Sequence, residues 1–133
     1  MGNSYVMAEL TDDAVSRATP YVDAFRRALA EHPMPDGRFS LYVYARHGAE
    51  VHARMFAPLA GTMEDPATGS AAAPLAGLLL SLSGDRELRV SIRQGAEIGR
   101  PSLLQAEAYR TADGIRGRVG GRCVTVMEGE LRL

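Results

Sequence analysis

From Pro66 to Gly84 the chain carries no charged side chain, and at its centre Ser70 to Leu82 is almost entirely Ala, Leu and Gly. A helix of this composition has little polar face to offer water, so it is expected to be buried nearly all round. Such a helix dictates the fold, because the rest of the chain must supply its cover. The run approaches membrane-spanning length, but Pro74, Gly77 and the hydroxyls of Thr68, Ser70, Ser81 and Ser83 argue against a span. Pro74 removes one internal hydrogen bond, which predicts either a later helix start or a kink near the N-terminal end.

The start of this helix is the place to look for chemistry. A helix N-terminus presents unpaired N–H groups and the positive end of the macrodipole, a combination that receives anions. Here it is preceded by Glu64-Asp65-Pro66 and opens on Thr68-Gly69-Ser70. If the loop is extended, the neighbouring Glu64 and Asp65 side chains diverge, so one of them faces the helix mouth. Asp65 has two readings: a cap for the following turn, or a carboxylate that meets a substrate ammonium or hydroxyl or moves a proton. Thr68 reads as a cap. Gly69 permits close approach of a ligand to the backbone. Ser70 has no histidine nearby to activate it as a nucleophile, so it reads as a hydrogen-bonding or anion-binding residue.

Around this segment the pattern alternates short strands with two earlier helices. Strands are expected at Ser4–Leu10, Arg38–Ala45, Glu50–Ala57, Glu87–Arg93, Leu103–Tyr109, Ile115–Val119 and Cys123–Glu128. A short helix capped by Thr11 runs to about Arg17, and a second, capped by Thr19 with Pro20 at its first position, runs to about Glu31. Pro58 to Gly69 reads as a loop. His52 and Arg54, two apart, share a strand face. Strands wrapped about one apolar helix define an α+β domain, a single domain over residues 1–133, with a curled and mostly antiparallel sheet around a central helix at about 70–82.

Composition excludes several classes. The formal net charge of 133 residues is −1, so nothing points to nucleic acid or an acidic membrane. Cys123 is the one cysteine, read as a buried small hydrophobe, and a cytoplasmic setting is expected. The three histidines have no zinc-motif spacing, and no metal is expected. The glycines of Gln94 to Ser102 match neither a P-loop nor a dinucleotide fingerprint.

Arg54 to Ala72, Arg-Met-Phe-Ala-Pro-Leu-Ala-Gly-Thr-Met-Glu-Asp-Pro-Ala-Thr-Gly-Ser-Ala-Ala, closely resembles the signature of the PhzF-like family, the phenazine-biosynthesis isomerases and their relatives. Gln94–Ser102 and Val119–Leu131 look like further marks of that family in the same order. The resemblance implies a diaminopimelate-epimerase-like fold and cofactor-independent proton transfer on small carboxylates. By matching position, Asp65 and Ser70 become the polar site residues, and the Gly69 and Ser70 backbone holds the substrate carboxylate. Glu64 and Thr68 are secondary candidates. Pro74 departs from the small residue usual in the family helix. Family members are about twice as long, so the resemblance implies a C-terminal half only. On that expectation the general acid/base Glu comes from a separate N-terminal half and the isolated chain is inactive. The alternative expectation is a homodimeric carboxylate-binding module, or an enzyme of altered chemistry without that Glu.

Overall fold

The structure, a computed structural model, describes residues 3–131. Its strands are β1 (Val6–Glu9), β2 (Leu41–His47), β3 (Glu50–Ala57), β4 (Thr62–Asp65), β5 (Glu87–Gln94), β6 (Ser102–Thr111) and β7 (Gly114–Gly121). The helices are α1 (Asp12–Arg17), α2 (Val22–Glu31) and α3 (Gly69–Ser81). One sheet takes the order β1-β2-β3-β5-β6-β7, with β4 paired to β3 beside that path. The β1–β2 and β3–β5 pairs are parallel and the others antiparallel.

Strand alternation divides the apolar side chains between two cores. On one face Tyr42, Tyr44, Val51, Ala53 and Met55 join Val90, Ile92, Ala106 and Ala108 against α3. On the other, Val43, Ala45 and Phe56 pack with Val15 of α1 and Phe25 of α2. Leu75, Leu79 and Leu80 of α3 are buried, each contributing about 1.5–3 kcal/mol. The contact of α3 with β7 is set by small residues. A Cβ on Gly69 would lie 3.5 Å from Val119, one on Gly77 would lie 3.8 Å from Ile115, and one on Gly117 would lie 3.3 Å from the Ala73 carbonyl. Four helical residues rise about 6.0 Å and two strand residues about 6.7 Å, so three rungs fall into register.

This architecture corrects the expected one. The sheet is open and mixed: β1 and β7 end it at opposite edges and do not pair. It does not wrap a single helix, because α1 and α2 cover its second face. Nor is α3 buried all round. Ser70, Pro74, Leu78 and Ser81 form an exposed stripe at near-helical spacing. The helix starts at Gly69 and contains Pro74, so it does not start late. Pro74 stands on the exposed stripe, where water can reach the Ser70 carbonyl that its missing N–H would have bonded.

Local readings fared unevenly. Thr11 accepts from the Ala14 amide as the α1 cap, as expected, but α2 is preceded by Tyr21 and has no side-chain cap. β4 lies where a loop was expected. The expected strand at Cys123–Glu128 is absent: residues 122–131 have no regular structure, and Val124, Val126 and Met127 are exposed. Their alternation is strand-like, but β7 is the last strand of the sheet and no further strand pairs with them. Cys123 is correspondingly exposed rather than buried.

Two polar residues of β3 fasten α1 to the sheet. His52 and Arg54 do share a face, and both are buried. Arg54 makes a two-pronged pair with Glu64 at 2.8 and 2.7 Å, and donates to the carbonyls of Val15, Ser16 and Ala18 at the end of α1. Its charge thereby meets the negative end of that helix. The Glu64 hydrogen bonds hold the guanidinium pKa above its ordinary value. His52 bridges Asp12, 2.9 Å from Nδ1, and Glu97, 2.7 Å from Nε2.

Three expectations follow for stability. Gly117→Val should destabilise the fold by about 1–3 kcal/mol through overpacking against Ala73, whereas Gly120→Val, whose Cβ meets open space, should not; equal losses in urea unfolding would refute the rung contact. Arg54→Met should cost about 3–5 kcal/mol, because Glu64 is left charged and buried; a loss below about 1 kcal/mol would show that the pair is dispensable. The Asp12 carboxyl is held below its ordinary 3.8, first by the His52 hydrogen bond and further by the charges of His52, Arg93 and His47. A depressed carboxyl stabilises the fold above its unfolded value, and that contribution disappears as pH falls through the folded value. Melting temperature should therefore decline less steeply below pH 3.8 in Asp12→Asn than in the parent.

Candidate functional site

The sheet forks beside the mouth of α3. β3 pairs with β5 only through Glu50–His52 against Ser91–Arg93. Beyond that point β3 is partnered by β4, with Met55 opposite Asp65. Gln94, the last residue of β5 and 1% exposed, bridges the opening. Its Nε2 donates to the Asp65 carbonyl at 2.6 Å and to Thr68 Oγ1 at 2.8 Å. Its Oε1 accepts from the Tyr42 phenol at 3.2 Å and the Thr68 amide at 3.4 Å. Burial, followed by the charge of Asp65, pushes the Tyr42 phenol well above its ordinary 10.0, so it remains a donor. The next residue, Gly95, has φ +80°, and a Cβ there would come within 2.8 Å of the Pro66 carbonyl. The glycine is needed because the two loops touch backbone to backbone.

Glu64 and Asp65 diverge, as the extended chain requires. Glu64 turns to Arg54 and is 7% exposed, whereas Asp65 turns to the helix mouth. Asp65 Oδ2 accepts from the Thr68 hydroxyl at 2.8 Å, and Oδ1 receives only the Ala67 amide at 3.5 Å. The capping contact is thus long and the side-chain contact short. Thr68 stands at the N-cap position, where its carbonyl accepts from the Ala71 and Ala72 amides, but its side chain makes no capping bond to α3, because the hydroxyl is committed to Gln94 and Asp65. The amides of Gly69 and Ser70 make no hydrogen bond among the described residues. Ser70 Oγ lies 2.7 Å from the Tyr5 hydroxyl.

Two hollows flank this mouth. A polar one of about 320 Å³ is lined by Asp65, Tyr5, Asp36, Arg38 and Ser40. A larger apolar groove of about 750 Å³ is lined by Gly69, Leu103, Leu104, Val119 and Cys123. The five candidates therefore divide. Asp65, Thr68, Gly69 and Ser70 gather at the helix start, with Asp65 and Gly69 opening on different sides of it, and Glu64 belongs to the buried ion pair. Tyr5 and Gln94 were not singled out from the sequence. Gln94 carried a signal, an amide at a strand end directly before a glycine, but its segment was read as an unmatched phosphate loop and as a family mark, without a role for the side chain. Among the described residues no group of three or more His, Cys, Asp or Glu is arranged to hold a metal ion, and no helix is long and apolar enough to cross a membrane.

Comparison with known proteins bears on this geometry. Residues 1–129 match the phenazine biosynthesis-like protein family, PhzC-PhzF. A trans-2,3-dihydro-3-hydroxyanthranilate isomerase of Pseudomonas chlororaphis is 45% identical over 93 residues, 68% of this chain and 33% of that protein. The enzyme of the same name from Pseudomonas fluorescens is 39% identical over 119 residues, 86% of this chain and 42% of its own length. The crystal structure of a Bacillus anthracis phenazine biosynthesis protein of the PhzF family superposes with a TM-score of 0.76 and 23% identity, over 99% of this chain and 46% of that one. The chain thus spans from a third to just under half the length of these relatives. The family match takes in nearly the whole chain, which corrects the expectation of a resemblance to a C-terminal half only. Neither the family match nor these relatives identify a separate N-terminal half that must bring a Glu, or a homodimer. The isomerase relatives count against the expectation of a chain that stays inactive until a separate half joins it. With the fold and the residues 1–129 both matched, the chain belongs to the phenazine biosynthesis-like, PhzF, family.

Proposed function

We propose that this chain is an isomerase domain that moves a proton on a small carboxylate-bearing substrate held at the mouth of α3, in a cytosolic setting and without a bound cofactor. The carrying observation is that one helix start presents two amides, Gly69 and Ser70, with no hydrogen bond among the described residues, and, on its other side, a carboxylate, Asp65, that keeps one oxygen almost free. The amides, reinforced by the helix dipole, receive the substrate carboxylate. Asp65 meets a neighbouring ammonium or hydroxyl and serves as an acid or base toward it. Ser70 and Tyr5 hold the rim of the site through their shared hydrogen bond. The compound named for the Pseudomonas relatives, trans-2,3-dihydro-3-hydroxyanthranilate, carries a carboxylate, an amine and a hydroxyl, and is the first substrate to try.

The test is deuterium uptake in D₂O, followed by mass spectrometry, over that compound and a panel of small hydroxy and amino acids. Asp65→Asn keeps the shape but loses the charge, and should lower the exchange rate about 10²–10⁴-fold. Absence of exchange with every compound, or full activity in Asp65→Asn, would refute the proposal.

A further inference from the structure

We propose that Gln94 is a positioning residue that sets the hydrogen-bond polarity of the site, locking Asp65 Oδ2 as an acceptor and presenting Oδ1 as the oxygen that meets the substrate. The inference rests on the functional reading above for its last step and on geometry for the rest. The Gln94 amide can point only one way. The Asp65 carbonyl is an acceptor and must face the NH₂, while the Thr68 amide is a donor and must face the oxygen. A flipped amide would oppose acceptor to acceptor at 2.6 Å. With the NH₂ fixed, Thr68 Oγ1 accepts a hydrogen bond from Gln94, and its own hydroxyl donates one to Asp65 Oδ2. The chain of donors thus runs one way, from Gln94 through Thr68 to Asp65.

Asp65 Oδ2 is consequently occupied. Oδ1 has only the 3.5 Å contact with the Ala67 amide, too long to fill its capacity. Asp65 borders the polar hollow, where the other carboxylate, Asp36, is already taken up by the Ser4 and Arg38 amides. Oδ1 is thus the open carboxylate oxygen of that wall, and it receives the ammonium or hydroxyl of the substrate. Gln94 and Thr68 act through Asp65 without touching the substrate.

Thr68→Val removes the relay with little change of shape and leaves the Gln94 clamp on the Asp65 backbone intact. It should lower kcat on the order of 10²-fold through misplacement of the carboxylate, with KM nearly unchanged, and Thr68→Ser should restore the rate. Gln94→Leu should reproduce the loss if it folds. Independently of activity, NMR of the parent should show both Gln94 side-chain amide protons shielded from solvent exchange, and Thr68→Val should release one of them. Free exchange of both protons in the parent would overturn the clamp. Parental kcat in Thr68→Val, or no rescue by Thr68→Ser, would overturn its role. An inactive parent with shielded Gln94 protons would refute the isomerase reading and the substrate role of Oδ1, while upholding the clamp.

Discussion

A single guanidinium decides whether the two faces of this sheet can coexist. Arg54 is buried, with the Phe56 ring centre 4.9 Å from its guanidinium, and yet it carries a full charge. Burying it is acceptable only because Glu64 neutralises it and three carbonyls of α1 take its remaining donors. Those partners come from segments far apart in sequence, so the charge obliges them to converge. α1 is held at the end where a six-residue helix would otherwise fray, and β4 is held at the residue before Asp65. The Asp65 carboxylate inherits its position from a neighbour, Glu64, whose own contact is electrostatic.

The fork between β3 and β5 gives that position its chemistry. Parallel strands that separate would expose backbone groups, and Gln94 fills the opening with an amide that meets a donor on one side and acceptors on the other. Gly95 lets the adjoining loop press against Pro66. The site is thus built on rigid backbone at three points: the end of β4, the end of β5 and the first turn of α3. A carboxylate held in this way does not have to search for its geometry when a ligand arrives.

Much of this was legible in the residues. Alternation located Glu50–Ala57 to the residue, and the adjacency of Glu64 and Asp65 required their divergence. The Thr-Gly-Ser helix start and the Thr11 cap were readable as local chemistry. What failed was direction. A helix with leucines and alanines on every side does not say which side is covered, so the exposed stripe through Pro74 and Leu78 was invisible. The expected curled, mostly antiparallel wrap failed for a related reason: strand patterns identify strands but not their neighbours, and the parallel β1–β2 pairing has no local signal. Gln94 was missed because its four hydrogen bonds go to three residues, Tyr42, Asp65 and Thr68, in two segments that only the fold brings to it. The strand expected after Cys123 shows the converse, a correct alternation without a strand to join.

The three rungs between α3 and β7 also limit how this chain can change in length. Helix and strand steps differ by about 0.7 Å per rung, so the match behaves like a vernier and drifts out of coincidence beyond the Gly69–Gly77 span. One residue removed from that span would turn everything after it by about 100°, carrying Gly77 off the strand and Leu78 into its place. The helix mouth is therefore tied to the far end of the helix by length alone. Variation in this part of the chain is confined to exchange of side chains, while its connecting turns remain free to grow.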